Sequence, residues 1–269
     1  MNKAILLAAA GTTAAFAMLA VGFMAGNVLP AKAENLEKAD RIQVASTPTL
    51  DRAEVENIVR DYLLANPEIL LEVQDALEAK QKEEQRLASE LVIKDLKDEI
   101  FNSAYDGVIG NPNGKVTIVE FYDYNCGFCK RALEDMVALT KQDPDLRFVL
   151  KEFPILGPDS HKASIVSMAF HKMMPEKYGE FHMALLGGEG RVTEAKAIEV
   201  ALSLGADEAT LREHMKDPDI PEVLSRTYEI ANRLNISGTP SYVVGNEVVF
   251  GALGQQVLGE KITAAKAGL

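Results

Sequence analysis

Residues 116–130 have the sequence VTIVEFYDYNCGFCK and are the most informative part of the chain. The stretch starts with an apolar run rich in β-branched residues, Val116 to Phe121, as expected of a buried strand. Near its end are the only two cysteines of the chain, Cys126 and Cys129, at C-x-x-C spacing. A strand that places such a pair on the first turn of a helix is typical of thiol–disulfide chemistry, because the N-terminus of a helix favours the thiolate over the thiol. The sequence therefore predicts a redox-active dithiol.

Two other interpretations of the cysteine pair are weaker. Structural zinc usually takes four ligands, and the sequence has no second C-x-x-C and no His pair at ligand spacing. A purely structural disulfide would close a very short loop, which removes little entropy from the unfolded chain and would be strained in a helix. Redox chemistry is preferred, and no metal site and no cofactor are expected.

The residues around the cysteines predict a βαβ unit. Asn111 to Gly114 is a turn signal before the first strand, and a helix is expected from Cys126 until Asp143-Pro144 ends it. Phe148 to Phe153 then has the composition of a second strand. A strand, a helix and a strand in this order form a parallel pair, so the dithiol is expected at the carboxyl end of a strand.

Composition restricts the class of protein. The chain has 269 residues, of which 47% are hydrophobic and 25% charged, so it is ordinary globular material with room for a sizeable core. With 28 basic and 40 acidic residues its formal net charge is -12, which makes nucleic acid an unfavourable partner.

The first 33 residues indicate export from the cytoplasm. No charged residue occurs from Ala4 to Ala31, and the pattern Ala31-Lys32-Ala33 suits cleavage before Glu34. Residues 1–33 are therefore predicted to be a signal peptide; the alternative is an uncleaved membrane anchor, because residues 4–31 are long enough to span a bilayer. Either interpretation places the rest of the chain in an oxidising compartment, the periplasm.

Residues 34–50 have the composition of a linker, and residues 51–100 are predicted to form helices, with Asp51 as a possible N-cap and Asn66-Pro67 starting a second helix. Apolar residues recur there at helical spacing, interrupted by the charged stretch 80–86. A narrow apolar face on a long helix needs a partner, so the segment is expected to bring copies of the chain together as a homo-oligomer. The alternative is that these helices fold back on their own catalytic domain.

Three stretches resemble a known family: Glu120 to Cys129, Ser237 to Tyr242, and Asp61 to Leu70. Together they resemble the DsbA-type branch of the thioredoxin superfamily, and within it the ScsC (suppressor of copper sensitivity) group of secreted disulfide isomerases. The resemblance covers about residues 51–269. It implies an α/β thioredoxin fold in residues 101–269, with a helical insertion at about residues 158–234. A hairpin around Gly245-Asn246 and a last helix from Gln255 to Lys266 are expected to complete this domain.

The resemblance also implies roles for residues near the dithiol. Glu120 occupies the position of a buried acid beneath the cysteines, where burial would raise its pKa and let it relay protons to and from Cys129. The alternative is a salt-bridged or hydrogen-bonded structural acid. Pro240 is expected to be cis, so that the backbone of Thr239 pairs with an extended substrate.

Cys126 is predicted to be the exposed nucleophile that attacks a substrate disulfide, and Cys129 to resolve the mixed disulfide or wait while the substrate rearranges. Gly127 and Phe128, expected to contact substrate, resemble the C-G-Y-C of isomerases more than the C-P-H-C of oxidases. Since Phe128 brings no charge, the helix terminus and backbone donors are expected to lower the pKa of Cys126 below the ordinary value of roughly 8.5.

The predicted function is therefore a disulfide isomerase or reductase that acts on cysteine-containing proteins and is kept reduced by a membrane redox partner. One alternative is a monomeric dithiol oxidase that introduces disulfides. Another is a Cu(I)-binding copper-tolerance protein, since soft ligands are concentrated in one region. Methionine is also a common filler of helical cores, so packing is preferred for these residues: Met168, His171, Met173, Met174, His182 and Met183.

Overall fold

The structure is a computed structural model that describes residues 51–268. The predictions for residues 1–33 and for most of the linker at 34–50 lie outside this range. Its helices are α1 (Arg52–Ala65), α2 (Ile69–Asp95), α3 (Lys97–Phe101), α4 (Gly127–Gln142), α5 (Pro158–Met173), α6 (Tyr178–Gly187), α7 (Glu194–Ser203), α8 (Glu208–His214), α9 (Asp219–Arg233) and α10 (Gly254–Ala267). Its strands are β1 (Gly107–Gly110), β2 (Val116–Tyr122), β3 (Leu146–Glu152), β4 (Ser241–Val244) and β5 (Glu247–Phe250).

The five strands form one sheet in the order β1-β3-β2-β4-β5. Strands β2 and β3 are parallel and are joined by α4, which confirms the predicted βαβ unit. The other pairs are antiparallel, and β4 and β5 form the predicted hairpin around Gly245 and Asn246. This is the thioredoxin fold, and α5 to α9 form the helical insertion between β3 and β4.

Alternate residues of the central strand β2 face two different layers of helices. Ile118 and Tyr122 belong to the core that includes α4 and α10, and Glu120 lies between them on the same face of the strand. Val119 and Phe121 point to the other side, where the core includes residues of α2, α3 and α9. The sheet is therefore covered on both faces, as its run of apolar residues requires.

The two N-terminal helices differ in detail from the sequence prediction. The Asp51 carboxylate accepts a hydrogen bond from the backbone N–H of Glu54 at 2.8 Å and caps α1 as expected. Asn66 does not cap α2, which begins only at Ile69; its side-chain amide donates to the carbonyl of Tyr62 at 2.9 Å and so satisfies the end of α1. The prediction of a helix starting at Asn66-Pro67 was wrong by two residues, because an Asn side chain can serve either end of a helix.

Helix α2 continues through the charged stretch without a break. Arg86 makes ion pairs with Glu83 and Glu90, at 2.9 and 3.1 Å, on neighbouring turns of the helix. Ion pairs between residues three and four positions apart stabilise a helix, here in a stretch whose side chains are exposed and not packed against a core. The charged stretch is therefore part of a continuous helix of 27 residues.

The last turns of α2, together with α3, pack onto the sheet. Ile93, Leu96 and Ile100 are buried with Val119 and Phe121 in one core. Polar contacts hold the same region: Arg226 of α9 pairs with Glu99, Arg233 of α9 donates to Asp95 at 2.7 Å, and the buried Lys151 of β3 donates to the Glu99 carbonyl and to Asp106. The fold-back alternative thus describes residues 89–100, whereas most apolar side chains earlier in the segment are exposed.

Within residues 51–268, no helix combines the length and the apolar composition needed to cross a membrane.

Candidate active site

The two cysteines lie at the start of α4, immediately after the carboxyl end of β2. Cys126 is the N-cap residue, with an extended backbone, and both cysteines are free thiols. The backbone N–H of Cys126 donates to the carbonyl of Asp123 at 3.0 Å, which turns the chain from strand to helix. Cys126 is 6% exposed and Cys129 is 0% exposed, so a reagent reaches Cys126 first. The sequence predicted a more exposed nucleophile; only an edge of Cys126 is open.

The pKa of the Cys126 thiol is lowered to about 5, chiefly because the Cys129 thiol donates a hydrogen bond to its sulfur. Burial opposes this effect, while the side chain of Thr239 and the backbone N–H groups of Cys129 and Phe128 add to it. The prediction of a lowered pKa is therefore supported by the structure. The backbone donors contribute as expected, but the neighbouring thiol contributes most.

Thr239 approaches Cys126 from the other motif. The Thr239–Pro240 peptide bond is cis, as the resemblance implied. The carbonyl oxygen of Thr239 lies 3.1 Å from the Cys126 sulfur, close enough to accept a hydrogen bond from the thiol. This contact favours the protonated form, so the donors that lower the pKa of Cys126 act against it.

Cys129 has the opposite character. Burial raises the pKa of its thiol far above the ordinary value, and its hydrogen bond to Cys126 and the nearby Glu120 carboxylate raise it further. One thiol of the pair therefore ionises near pH 5, whereas the other stays protonated at neutral pH. At neutral pH the pair therefore offers one thiolate, Cys126, as a nucleophile, while Cys129 stays a thiol until it is deprotonated.

Glu120 lies on β2 beneath the dithiol and is fully buried. Among residues 51–268, no group hydrogen-bonds to either of its carboxylate oxygens. Burial raises the pKa of Glu120 to about 8, and the negative charges of Cys126 and Asp135 act in the same direction. The alternative of a salt-bridged or hydrogen-bonded structural acid is thus not what the structure shows, although proton relay by Glu120 stays a prediction.

The residues just before Cys126 are held by the insertion and by the loop that leads into it from β3, a feature that the sequence analysis missed. The buried Asp123 carboxylate accepts hydrogen bonds from the backbone N–H groups of Asn125 and Leu156, at 2.8 and 2.9 Å. The Tyr124 hydroxyl contacts Ser167 at 2.8 Å and His182 at 3.3 Å. The chain offers no local signal for Leu156, Ser167 and His182 as partners, because they are 33 to 58 residues away from the residues that they contact.

Phe128 is the most open side chain of the motif. It is 57% exposed, and the guanidinium carbon of Arg131 lies 4.2 Å from the centre of its ring. Arg131 follows one turn later on α4 and covers one face of the ring. The ring and the adjacent Gly127 form an exposed surface beside the nucleophile.

The methionine and histidine concentration is mostly packing. Met168 and His182 are buried, and the His182 ring packs edge-to-face with Tyr122 and at a tilt against Tyr124. Met173 and Met174 pack against the same core, while Met183 is partly exposed. In the part of the chain that the structure describes, no three His, Cys, Asp or Glu side chains come together as a metal site.

Comparison with known families gives the class of protein. The model of the DSBA-like thioredoxin domain matches residues 117–263, more than half of the chain. The chain therefore belongs to the DSBA-like thioredoxin domain family, with the fold and the dithiol described above. The model of the copper resistance protein ScsC N-terminal domain matches residues 51–84, so the second part of the resemblance is also confirmed.

Solved structures agree with this assignment. A thioredoxin-like oxidoreductase from Silicibacter pomeroyi DSS-3 is 36% identical, with a TM-score of 0.60, and the alignment covers 63% of this chain and 97% of that one. Proteus mirabilis ScsC in a transitional conformation is 30% identical, with a TM-score of 0.61, over 81% of this chain and 97% of that one.

Curated relatives are more distant. Disulfide bond formation protein D of Bacillus subtilis is 25% identical over 53% of this chain and 68% of the relative. The chain also matches two Na(+)/H(+) antiporters named NhaA, from Salinispora arenicola and Salinispora tropica, at 26% and 24% identity. These alignments include about 60% of this chain, but they span only 25% and 24% of the length of the two antiporters.

Proposed function

We propose that this chain is a periplasmic thiol–disulfide oxidoreductase that rearranges disulfides in cysteine-containing proteins. The observation that carries the proposal is the asymmetry of the dithiol: the pKa of Cys126 is lowered to about 5, while that of the buried Cys129 is raised. A thiolate at neutral pH is the attacking species in disulfide exchange.

The reaction starts when the Cys126 thiolate attacks one sulfur of a substrate disulfide. A bond forms between Cys126 and that sulfur, the substrate S–S bond breaks, and the other substrate sulfur leaves as a thiolate. In isomerisation a substrate thiolate then attacks a different disulfide, and finally the mixed disulfide, so Cys126 leaves reduced and no net electrons are transferred.

Reduction is the second outcome of the same intermediate. In the mixed disulfide Cys126 has lost the negative charge that helps to raise the pKa of Glu120, so the ionised form of Glu120 becomes more accessible. Cys129 gives its proton to this carboxylate and attacks the Cys126 sulfur, which releases the substrate thiolate and leaves a Cys126–Cys129 disulfide. The substrate gains two electrons and the dithiol loses two. A membrane redox partner would return these electrons to the dithiol between cycles.

Two features favour isomerisation over simple oxidation. The exposed Phe128 brings an apolar ring beside the nucleophile without a charge, as in the C-G-Y-C motif. Exposed apolar residues along α2 provide a face through which copies of the chain would associate, so that several dithiols act on one client.

One observation favours a dithiol oxidase instead. The low pKa of Cys126 stabilises the reduced form of the pair, and a stabilised reduced form makes the corresponding disulfide a stronger oxidant. The same site therefore serves both functions. An isomerase or reductase starts from the reduced dithiol, whereas an oxidase starts from the Cys126–Cys129 disulfide.

The test compares two assays on the full chain. A client with scrambled disulfides, incubated with the reduced protein, should regain activity, whereas a fully reduced client incubated with the oxidised protein should be oxidised slowly. Cys126→Ala should abolish both activities, and Cys129→Ala should retain measurable isomerisation while losing insulin reduction. Fast oxidation of the reduced client with no recovery of the scrambled one would identify an oxidase.

A further inference from the structure

The loop between α6 and α7, residues 188–193, is held against both sides of the nucleophile. On one side it contacts Asn125, the residue immediately before Cys126. On the other, the Lys130 ammonium donates to the carbonyls of Gly188 and Gly190, at 2.8 and 3.1 Å. Four residues of chain thus separate two attachments, and Cys126 lies between them.

Asn125 makes the closer attachment. Its side-chain carbonyl accepts a hydrogen bond from the backbone N–H of Val192 at 2.8 Å, and its amide donates to the Val192 carbonyl at 2.9 Å. The same amide donates to the Ser160 hydroxyl near the start of α5 at 3.1 Å. One side chain therefore binds two separate parts of the insertion, and the buried Val192 has both backbone groups satisfied by it.

The backbone of Asn125 is fixed as well. Its N–H donates to the Asp123 carboxylate at 2.8 Å, and the same carboxylate accepts from Leu156. Both the side chain and the backbone N–H of Asn125 are hydrogen-bonded. The peptide bond between Asn125 and Cys126 therefore has little freedom to move.

We propose that Asn125 is a positioning residue for the nucleophile: it transmits the placement of the helical insertion to Cys126 and so holds the sulfur where its hydrogen-bond donors can reach it. The proposal rests on the proposed function only in taking Cys126 as the reactive sulfur. The donors concerned are the Cys129 thiol, the Thr239 side chain and the backbone N–H groups of Phe128 and Cys129. They stabilise the thiolate only at short range and in good alignment.

The test is the reactivity of Cys126 in the reduced full chain carrying Asn125→Ala. The substitution adds and removes no charge, so a change in the pKa of Cys126 would report its position. We expect that pKa to rise by about one unit, which lowers the rate of iodoacetamide alkylation at pH 5 about fivefold. The pH profile of alkylation measures both quantities.

Asn111→Ala is the matched control. Asn111 also bridges a loop with its side chain, donating to the Pro144 carbonyl at 2.8 Å and accepting from Asn113 at 2.9 Å, but it lies beyond the amino end of β2. Both variants should lose stability in urea, and only Asn125→Ala should change the alkylation profile. A destabilised Asn125→Ala with an unchanged profile, or an equal shift in Asn111→Ala, would overturn the proposal.

If Asn125→Ala does not fold, Ser160→Ala takes its place. It removes one of the three side-chain hydrogen bonds of Asn125 and should shift the pKa of Cys126 upward by a smaller amount; no shift would overturn the proposal. Alkylation requires no disulfide substrate. The result is therefore separate from the isomerase assay, which can fail while Asn125 still positions Cys126.

Discussion

Cys126 and Cys129 are three residues apart, yet the protein gives their thiols opposite acidities. The hydrogen bond between them lowers the pKa of one and raises that of the other, so each thiol is part of the environment of its partner. We expect Cys129→Ala to raise the pKa of Cys126 toward its ordinary value, because the largest stabilising donor is lost. Thiolate absorbance near 240 nm, followed from pH 3 to 10, measures this change.

The control for this titration is Cys126→Ala. Its remaining thiol, Cys129, should show no thiolate absorbance at neutral pH, since burial raises its pKa. Thiolate absorbance that appears near pH 5 in Cys126→Ala would contradict the assignment of the two thiols.

Glu120 links the dithiol to the stability of the whole domain. Its pKa is about 8 when folded, whereas the ordinary value is 4.5, so between these pH values the folded chain retains a proton that the unfolded chain has released. The contribution of Glu120 to the free energy of unfolding should therefore be fully present below pH 4.5 and be lost as the pH rises through 8. Glu120→Gln should remove this loss, a difference on the order of a few kcal/mol at pH 9.

Urea unfolding of the wild type and Glu120→Gln, both with the dithiol reduced, measures the difference at each pH. Glu152 and Asp106 are also buried, with pKa values raised to about 7 and about 6, and they remain in both proteins. Only the difference between the two curves therefore reports on Glu120. Parallel curves from pH 5 to 9 would show that Glu120 ionises normally in the folded chain.

At this scale the sequence was most informative where the signal was local. The dithiol, Glu120 and Thr239-Pro240 each follow from a short motif and its neighbours. Asp123 and Asn125 occur in the same stretch, but nothing near them indicates that Leu156 and Val192 are their partners. The positions of reactive groups could be predicted, whereas the groups that hold them depend on contacts between distant segments.

Helix α2 changes its surroundings along its length. At its end, Ile93 is 2% exposed and packs in the core behind the sheet, while Leu91, two residues earlier, is 70% exposed. Ile93→Ala should lower the free energy of unfolding by about 2–4 kcal/mol, because it leaves a cavity in that core. Leu91→Ala is the matched control and should change stability by well under 1 kcal/mol.

Urea denaturation at a fixed protein concentration measures both variants. If Ile93→Ala were as stable as Leu91→Ala, the end of α2 would not be part of the folded domain. Periodicity alone could not separate the two residues, since both are apolar and lie in one helical pattern. The apolar pattern runs through residues 51–100 without a break at the point where burial begins, which is at about residue 89.

At the scale of the whole molecule, α2 presents an apolar surface that suits association between copies of the chain. On α2, three apolar side chains that share one side of the helix are 59%, 58% and 53% exposed: Leu70, Val73 and Leu77. Exposed apolar surface of this kind is typical of sites where proteins associate. Replacing all three by Glu should reduce the mass measured by sedimentation and lower recovery of a scrambled client at least several-fold. Reduction of insulin, which needs one dithiol, should be unchanged.

A charge-matched control replaces Ala79 and Lys82, exposed residues on the opposite side of the same helix, by Glu. The first change adds one negative charge and the second turns a positive charge into a negative one, so the net charge falls by three as in the apolar variant, and mass and activity should stay as in the wild type. Substitution is preferable to removing residues 34–100, because that truncation would take Ile93, Leu96 and Ile100 out of the core. An unchanged mass after the apolar substitutions would refute association through α2.

The firm seating of α2 has a mechanical consequence. Its 27 residues form a rod about 40 Å long. One end is embedded against Val119 and Phe121, the residues on either side of Glu120 in β2. A force on the exposed part of α2 would therefore be transmitted to β2, the strand that carries the dithiol at its end. The helix is continuous over its 27 residues, so it contains no break at which it would bend instead.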